Sequence, residues 1–332
     1  MATSLSRQCS IASLVLLLLL LLPSNTWSLA SIAKKPTTTT ATTTTTESLL
    51  WTPANNNNKE LEQLEWKLLR QVRQVAKDYE MLQDGDHIMV CVSGGKDSAS
   101  LLVLLMKLQQ HLQTKFRLTA VHVDQKQPGY NGTSLVEWLR DDLKVDDYRI
   151  VEEDTYSIVV NKTQADKSFC TLCSRLRRGI LYSTALELGC NKIALGHHAD
   201  DALETLFLNM LHAGQIKAMP ARYTSTRGSL AVLRPLISSF ETDLQTYATQ
   251  QQFPILPCNL CSNQADLQRP QIKLLLATLE SSFRNPQAKQ NLVRSLGNIR
   301  PSHMLDQSLR QAVGMDPITG EEEEEGGEQQ AV

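Results

Sequence analysis

Met89-Val90-Cys91-Val92-Ser93-Gly94-Gly95-Lys96-Asp97-Ser98 sets the reading of the whole chain. Four mostly apolar residues run straight into a glycine-rich turn. A helical pattern then opens with Ala99, Leu101, Leu102, Leu104, Leu105 and Leu108. A buried strand, a glycine turn and an amphipathic helix, in that order, aim backbone N–H groups at an anion. Glycine permits the tight turn and the close approach, and the helix N-terminus supplies unpaired donors and partial positive charge. Lys96 adds a full charge, and Ser93 and Ser98 add hydroxyl donors. The spacing excludes a Walker loop, which needs four residues before its Gly-Lys pair. It also excludes the Gly-x-Gly-x-x-Gly of a dinucleotide fold. A plain strand-to-helix turn would accept the glycines but has no use for Lys96 and Asp97.

On either side of this stretch, strands and helices alternate. A helix with Leu61, Leu64, Leu68, Val72 and Val75 at helical spacing precedes strand one (87–92). Strand two (116–123) ends at Asp124, a helix opens at Thr133, and strand three covers 148–151. Further helices are expected over 174–188, 199–211 and 241–252, with strands at 192–195 and 231–236. Helices follow across 270–282 and 286–295. This order argues for a three-layer α/β fold around a parallel sheet, with an N-terminal helix and a C-terminal helical extension. The domain expected from it spans 59–315.

The ends of the chain differ in composition. Arg7, an apolar run over 11–22 and Pro23 read as a signal-peptide core, too short to span a bilayer comfortably. A threonine-rich stretch up to Thr46 carries no acidic residue before Glu47 and resembles an organellar transit peptide. Residues 1–58 are therefore expected to be a cleaved leader and linker, with a plastid reached through the endomembrane system as destination and a mitochondrion as alternative. Ordinary secretion with a threonine-rich stalk, or a single-pass anchor, also fits the composition. From 316 to 332 the chain is acidic and glycine-rich and is expected to be disordered. Net charge over the 332 residues is −2, so composition neither requires nor excludes a nucleic-acid partner.

Four candidate groups carry chemistry. Asp124, at the carboxyl end of a strand, could hold a nucleotide's ribose or a metal, or could cap the next turn. In Gly196-His197-His198-Ala199-Asp200-Asp201, the two acids are either helix N-terminal charges or ligands of a Mg²⁺–pyrophosphate group. Four of the seven cysteines form two Cys-x-x-Cys pairs, Cys170/Cys173 and Cys258/Cys261. The first is expected in a loop just before a helix. Such pairs suit tetrahedral zinc, an iron–sulfur cluster or a redox dithiol better than a disulfide framework. Cys9, Cys91 and Cys190 read as structural. Arg175, Arg177 and Arg178 follow the first pair and could grip phosphates of a polyanion, form a solvated helix face, or lower the thiol pKa values.

Ser-Gly-Gly-Lys-Asp-Ser together with Gly-His-x-x-Asp-Asp resembles the two motifs of the PP-loop nucleotide alpha-hydrolases, which split ATP to AMP and pyrophosphate. Val123-Asp124-Gln125-Lys126-Gln127-Pro128-Gly129, the block from Cys170 to Tyr182, Arg234-Pro235-Leu236, Pro257 to Cys261 and Pro301-Ser302-His303 narrow the likeness. They resemble the tRNA-cytidine(32) 2-sulfurtransferases, over about residues 61–306. The resemblance implies ATP held by Ser93, Gly94, Gly95, Lys96, Asp97, Ser98, Asp124, Gly196 and His197. It implies Mg²⁺ on Asp200 and Asp201, and catalysis through Lys96, Asp97, Cys170 and Cys173. It also implies a [4Fe–4S] cluster on Cys170, Cys173 and either Cys261 or Cys258, the former favoured by the position of Arg269. Arg175, Arg177 and Arg178 would meet tRNA. The implied partners are tRNA and a sulfur-donor system of the cysteine desulfurase kind. A homodimer is compatible with this, and stable membrane association of the mature chain is not expected. Two rivals fit less well: an adenylating ligase has no need of the cysteines, and a zinc-stabilised RNA-binding protein has no need of Lys96, Asp97, Asp200 and Asp201.

Overall fold

A computed structural model describes residues 58–162, 169–225, 230–256, 268–282 and 285–321, with the backbone alone at 58 and 169–171. The expected leader, Cys258, Cys261 and residues 322–332 lie outside the described residues. Strand β1 (His87–Cys91) is at the centre, with Ile88, Met89 and Val90 wholly buried. Burial on both faces is what an unbroken apolar run requires of a strand covered by helices on either side. The sheet order is β3-β2-β1-β4-β6-β5, with β2 Arg117–Asp124, β3 Tyr148–Glu152, β4 Lys192–Ala194, β5 Arg222–Thr224 and β6 Ala231–Leu233. Five strands run parallel, and β5 pairs antiparallel to β6 through Tyr223 and Val232. The sheet expected to be parallel thus gains an antiparallel edge strand between the helix expected over 199–211 and the strand expected at 231–236.

Three layers form as expected. On one face pack α1 (Asn58–Asp78), α2 (Lys96–His111) and α7 (Glu241–Gln250), and their core includes Leu68, Val72, Leu101, Leu104, Leu244 and Tyr247. The other face carries α5 (Phe169–Glu187), with Ala185, Leu181 and Tyr182 against Met89, Val121 and Ile193. A smaller core of Leu203, Ile272 and Leu276 joins α6 (Ala199–Ala213) to α8 (Gln268–Ser282). Two shorter helices, α3 (Thr133–Glu137) and α4 (Thr155–Lys162), flank β3, and α3 continues into a wider π turn over Trp138–Asp142. The extension ends with α9 (Ala288–Ser295) and α10 (Gln307–Ala312). A hydrogen-bonded turn then occupies 316–321, where Arg310 donates to the carbonyls of Pro317 and Ile318. Those are the first residues of the segment expected to be disordered. Among the described residues no helix is long and apolar enough to cross a membrane.

The chain leaves β1 toward β2 on one side and reaches β4 on the other. That reversal opens a crevice at the carboxyl ends of β1 and β4, where ligands of open α/β sheets bind. Both expected nucleotide motifs follow those two strands.

Candidate active site

Strand β1 delivers Ser93 to the crevice, and α2 starts at Lys96. Gly94 has φ +83°, and a Cβ there would lie 3.0 Å from Leu256 Cβ; the Leu256 N–H donates to the Gly94 carbonyl at 2.9 Å. Both backbone conformation and close approach therefore demand glycine. The serine hydroxyls are placed otherwise than expected. Ser98 Oγ donates to the Gly95 carbonyl at 2.9 Å and accepts from Ser93 N–H at 2.9 Å. Ser93 Oγ lies 3.0 Å from Ser98 Oγ and accepts from Gly95 N–H at 3.3 Å. They knit the loop into shape. No side chain caps α2, so its first turn presents N–H groups to a phosphate.

Charge gathers beside this loop. Lys96 Nζ is 3.1 Å from Glu241 Oε1 and 3.3 Å from Asp97 Oδ2. Burial works against its charge, but the two carboxylates outweigh that and hold its pKa above the usual lysine value. Glu241 also receives Lys273 Nζ at 2.5 Å. Despite burial, hydrogen bonds from the two lysines push its pKa down to about 2. Asp97 Oδ1 is buried and has no hydrogen-bond partner, with His198 Nε2 3.9 Å away. Burial raises the Asp97 pKa although His198 and Lys96 pull against it. An orphaned carboxylate oxygen beside a second acid, Asp201, fits a cation.

The second motif approaches from β4. A Cβ on Gly196 would stand 3.0 Å from Ser98 N and 3.1 Å from Asp97 C, so glycine lets the β4 loop lie against the start of α2. His198 caps α6, with its side chain accepting from Asp201 N–H and its own N–H donating to Asp201 Oδ2 at 3.1 Å. One of the two expected Mg²⁺ ligands is not at the site. Asp200 is buried, with Oδ2 accepting from Glu241 N–H at 2.8 Å and Oδ1 3.2 Å from Lys289 Nζ. Its oxygens bind α7 and α9, and the acid beside Asp201 on the cavity wall is Asp97. Among the described residues no group of three or more His, Cys, Asp or Glu side chains is arranged as a ready metal site.

A cavity of about 740 Å³ joins these parts to α5. Its apolar side is Val92, Val121, Val123, Ile193 and Leu195; its polar wall holds Ser93, Asp97, Gly196, His197 and Asp201. From α5 come Cys173, Ser174, Arg177 and Arg178. The helix starts at Phe169, not after the cysteine pair, so Cys170 and Cys173 occupy its first turns instead of the expected loop. The thiol of Cys173 donates to Gln125 Oε1 at 3.4 Å. Arg175 is exposed and does not reach the cavity wall. Asp124 is also off the wall: Oδ1 accepts from Lys126 N–H at 2.8 Å, the geometry of a turn cap. Cys91 lines the cavity floor, and burial pushes its thiol up to about 12, in keeping with a structural residue.

A recess of about 350 Å³ adjoins the loop and is lined by Lys96, Asp97, Asp201, Glu241, Arg269 and Lys273, among others. Arg269 Nη1 lies 3.0 Å from Glu204 Oε2 and 3.5 Å from Asp201 Oδ1. Glu241, Lys273 and Tyr223 carried no signal in sequence, since each lies outside any local motif. Arg234 belongs to a quoted motif that suggested no role. A buried apolar slot beside backbone donors, lysines and two acids, one with an unpartnered oxygen, can hold a nucleoside triphosphate with its cation and stabilise charge on a leaving pyrophosphate.

Comparison with known proteins agrees with this site. The PP-loop domain family matches residues 64–273. The chain is 46% identical over 254 residues to the tRNA-cytidine(32) 2-sulfurtransferase of Sorangium cellulosum, covering 76% of this chain and 88% of that one. It is 50% identical over 246 residues to the enzyme of that name from Idiomarina loihiensis, covering 74% and 81%. This chain belongs to the tRNA-cytidine(32) 2-sulfurtransferase family. Among solved structures it is similar to the U34-tRNA thiolase NcsA from Methanococcus maripaludis with its [4Fe–4S] cluster. That match has a TM-score of 0.57 and 21% identity, over 72% of this chain and 79% of that one, which is a likeness of fold. The sulfurtransferase is thus an enzyme of the PP-loop type that thiolates tRNA with activation by ATP.

Proposed function

We propose that the enzyme replaces O2 of cytidine 32 in tRNA by sulfur, using a [4Fe–4S] cluster bound by Cys170, Cys173 and Cys261, with Cys258 as the alternative third ligand. The observation that carries this reading is the single cavity shared by the PP-loop and Cys173. Activation and sulfur delivery must act on the same carbon, and here a thiol and an ATP-splitting loop face one space. Cys170 and Cys173 stand three positions apart on α5, the spacing that puts two helical positions on one face. Cys258 and Cys261 lie outside the described residues, but the chain on either side is fixed at the site. Leu256 is bonded to Gly94, and Arg269 is paired with Asp201 and Glu204. A donor set of thiolates suits iron–sulfur binding.

The chain's own residues account for the activation. The carbonyl oxygen of cytosine is a poor leaving group; bonding it to the α-phosphorus of ATP, with loss of pyrophosphate, makes AMP the leaving group. The turn from Ser93 to Asp97 and the open N–H groups of α2 hold phosphate oxygens. Lys96, Arg269 and Lys273 offset charge on the departing pyrophosphate in the adjoining recess. Asp97 and Asp201 are the acids suited to a Mg²⁺ ion, which would neutralise phosphate charge. Arg177 and Arg178 meet RNA phosphates at the cavity wall, and the target base has to leave its stack to enter. The cluster, when bound, supplies the sulfur that replaces the oxygen on C2.

Anaerobic purification tests the proposal: iron and sulfide are expected, and zinc in one-to-one amount without iron would overturn it. Cys170→Ala is expected to abolish iron binding and thiolation while ATP binding stays within about twofold. For the cell, we propose delivery to a plastid by residues 1–58. A fluorescent protein fused behind that leader is expected in the plastid, and export to the medium would contradict it.

A further inference from the structure

Beyond the end of β6 lies a buried guanidinium that the activation chemistry leaves unused. Arg234 is 8% exposed. Its Nη1 donates to the Pro220 carbonyl at 2.7 Å, and its guanidinium carbon sits 5.2 Å from the centre of the Tyr223 ring. Tyr223 is steadied in turn by Tyr182, hydroxyl to hydroxyl at 3.2 Å. Nε of Arg234 is buried and has no hydrogen-bond partner. Beside it on the cavity wall stands His197, whose Nδ1 is likewise buried without a partner. Burial and the nearby Arg234 charge push the His197 pKa down to about 4, so its ring is neutral near pH 7. A buried donor or acceptor without a partner costs about 1–3 kcal/mol. Both residues line the same cavity, and one unpartnered atom on each marks a place for a ligand that supplies both partners.

We propose that Arg234 and His197 form the subsite for the target base, with Arg234 Nε–H donating to the O2/N3 edge of cytosine and His197 Nδ1 accepting from its N4 amino group. This deepens the tRNA-thiolation reading above and rests on it. Cytosine presents an acceptor edge beside an amino donor. Uracil presents N3–H where cytosine has an acceptor, and O4 where cytosine has the amino group. Against this wall uracil would set donor against donor and acceptor against acceptor. A site built to bond a particular polar group rejects the analogue that lacks it far better than an apolar slot could. Tyr223 and Tyr182 act on Arg234 as positioning residues, fixing the plane of the guanidinium.

The test uses the full-length protein and two anticodon stem-loop RNAs that differ only in C or U at the target position, titrated calorimetrically without ATP. The wild-type protein is expected to prefer the cytosine RNA by about tenfold or more. Arg234→Lys keeps the charge and can reach the Pro220 carbonyl but has no Nε–H. His197→Phe keeps the ring volume and removes the acceptor. Each is expected to cut the preference to below about threefold, and Arg234→Lys, which lies outside the residues read as holding ATP, to leave ATP affinity within about twofold of wild type. A wild-type protein without preference would overturn the proposal. So would variants that keep it, or an Arg234→Lys protein in which ATP and RNA affinity fall together. Should one variant fail to fold, seen as loss of the thermal transition, the other reads the same wall independently. Absence of thiolation by a wild-type protein that still prefers cytosine RNA would count against the reaction and not against the subsite.

Discussion

Between Lys96 and Lys273 the carboxylate of Glu241 is shared, with Oε1 3.1 Å from one ammonium and Oε2 2.5 Å from the other. Both cations are held to it, and its pKa falls from an ordinary 4.5 to about 2. A carboxylate whose folded pKa is depressed adds stability that is fully present above the unfolded value and is lost as pH falls through the folded one. Glu241→Gln should therefore destabilise the protein at pH 7 by about 1–3 kcal/mol, the range for a charge-assisted bond whose partners remain. Thermal unfolding measured against pH should show the gap between wild type and variant closing from about pH 4.5 toward pH 2. A gap that stays constant across that window would remove Glu241 from the network. Sequence offered no route to this residue. It stands 145 positions from Lys96, and only the return of the chain through β6 brings it to the PP-loop. Ser93 and Ser98 show the opposite limit. Their place in the motif was plain, but not that hydroxyls five residues apart would meet each other.

At the level of elements, legibility follows the length and the strength of the pattern. Strand β1 and helix α2 could be read because an apolar run meets a glycine turn and then a leucine-rich helix. Each of those signals has a physical cause that acts locally. Strand β5, three residues long, carries no alternation, and its pairing with β6 is a tertiary event. The first turns of α5 were misplaced because Cys-Thr-Leu-Cys has no strong helical preference. That error matters chemically, since a helix sets the spacing of Cys170 and Cys173 where a loop would leave it free. Asp200 and Asp201 could not be told apart for a related reason. Adjacent acids at a helix start look alike in sequence, and only the arrival of α7 and α9 separates the structural one from the one that faces the cavity. Arg269 and Lys273 pin the first turns of α8 to Asp201, Glu204 and Glu241, so the helix after the second cysteine pair is tied to the ATP-splitting end of the site.

On the scale of the whole molecule, the folded unit must be cut from its leader without losing α1. Leu61, Leu68, Leu69, Val72 and Val75 are all buried on that helix and belong to the main core over the sheet. Glu65 adds contacts to Lys107 at 2.5 Å and to the Tyr247 hydroxyl at 2.9 Å, which join α1 to α2 and α7. Each of the five buried side chains contributes about 1.5–3 kcal/mol of transfer free energy, and together they match the roughly 5–15 kcal/mol by which a domain is stable. A chain starting at Asn58 should thus melt within about 2 °C of the full-length protein, a shift worth less than about 1 kcal/mol, and bind ATP as well. One starting at Glu80 keeps the complete PP-loop and every described cavity residue, yet should lose its cooperative thermal transition and with it ATP binding. Calorimetry on the three chains decides the matter. A cooperative transition in the shortest would mean that the sheet holds the loop without α1, and that α1 belongs to the chain's partners and not to its core.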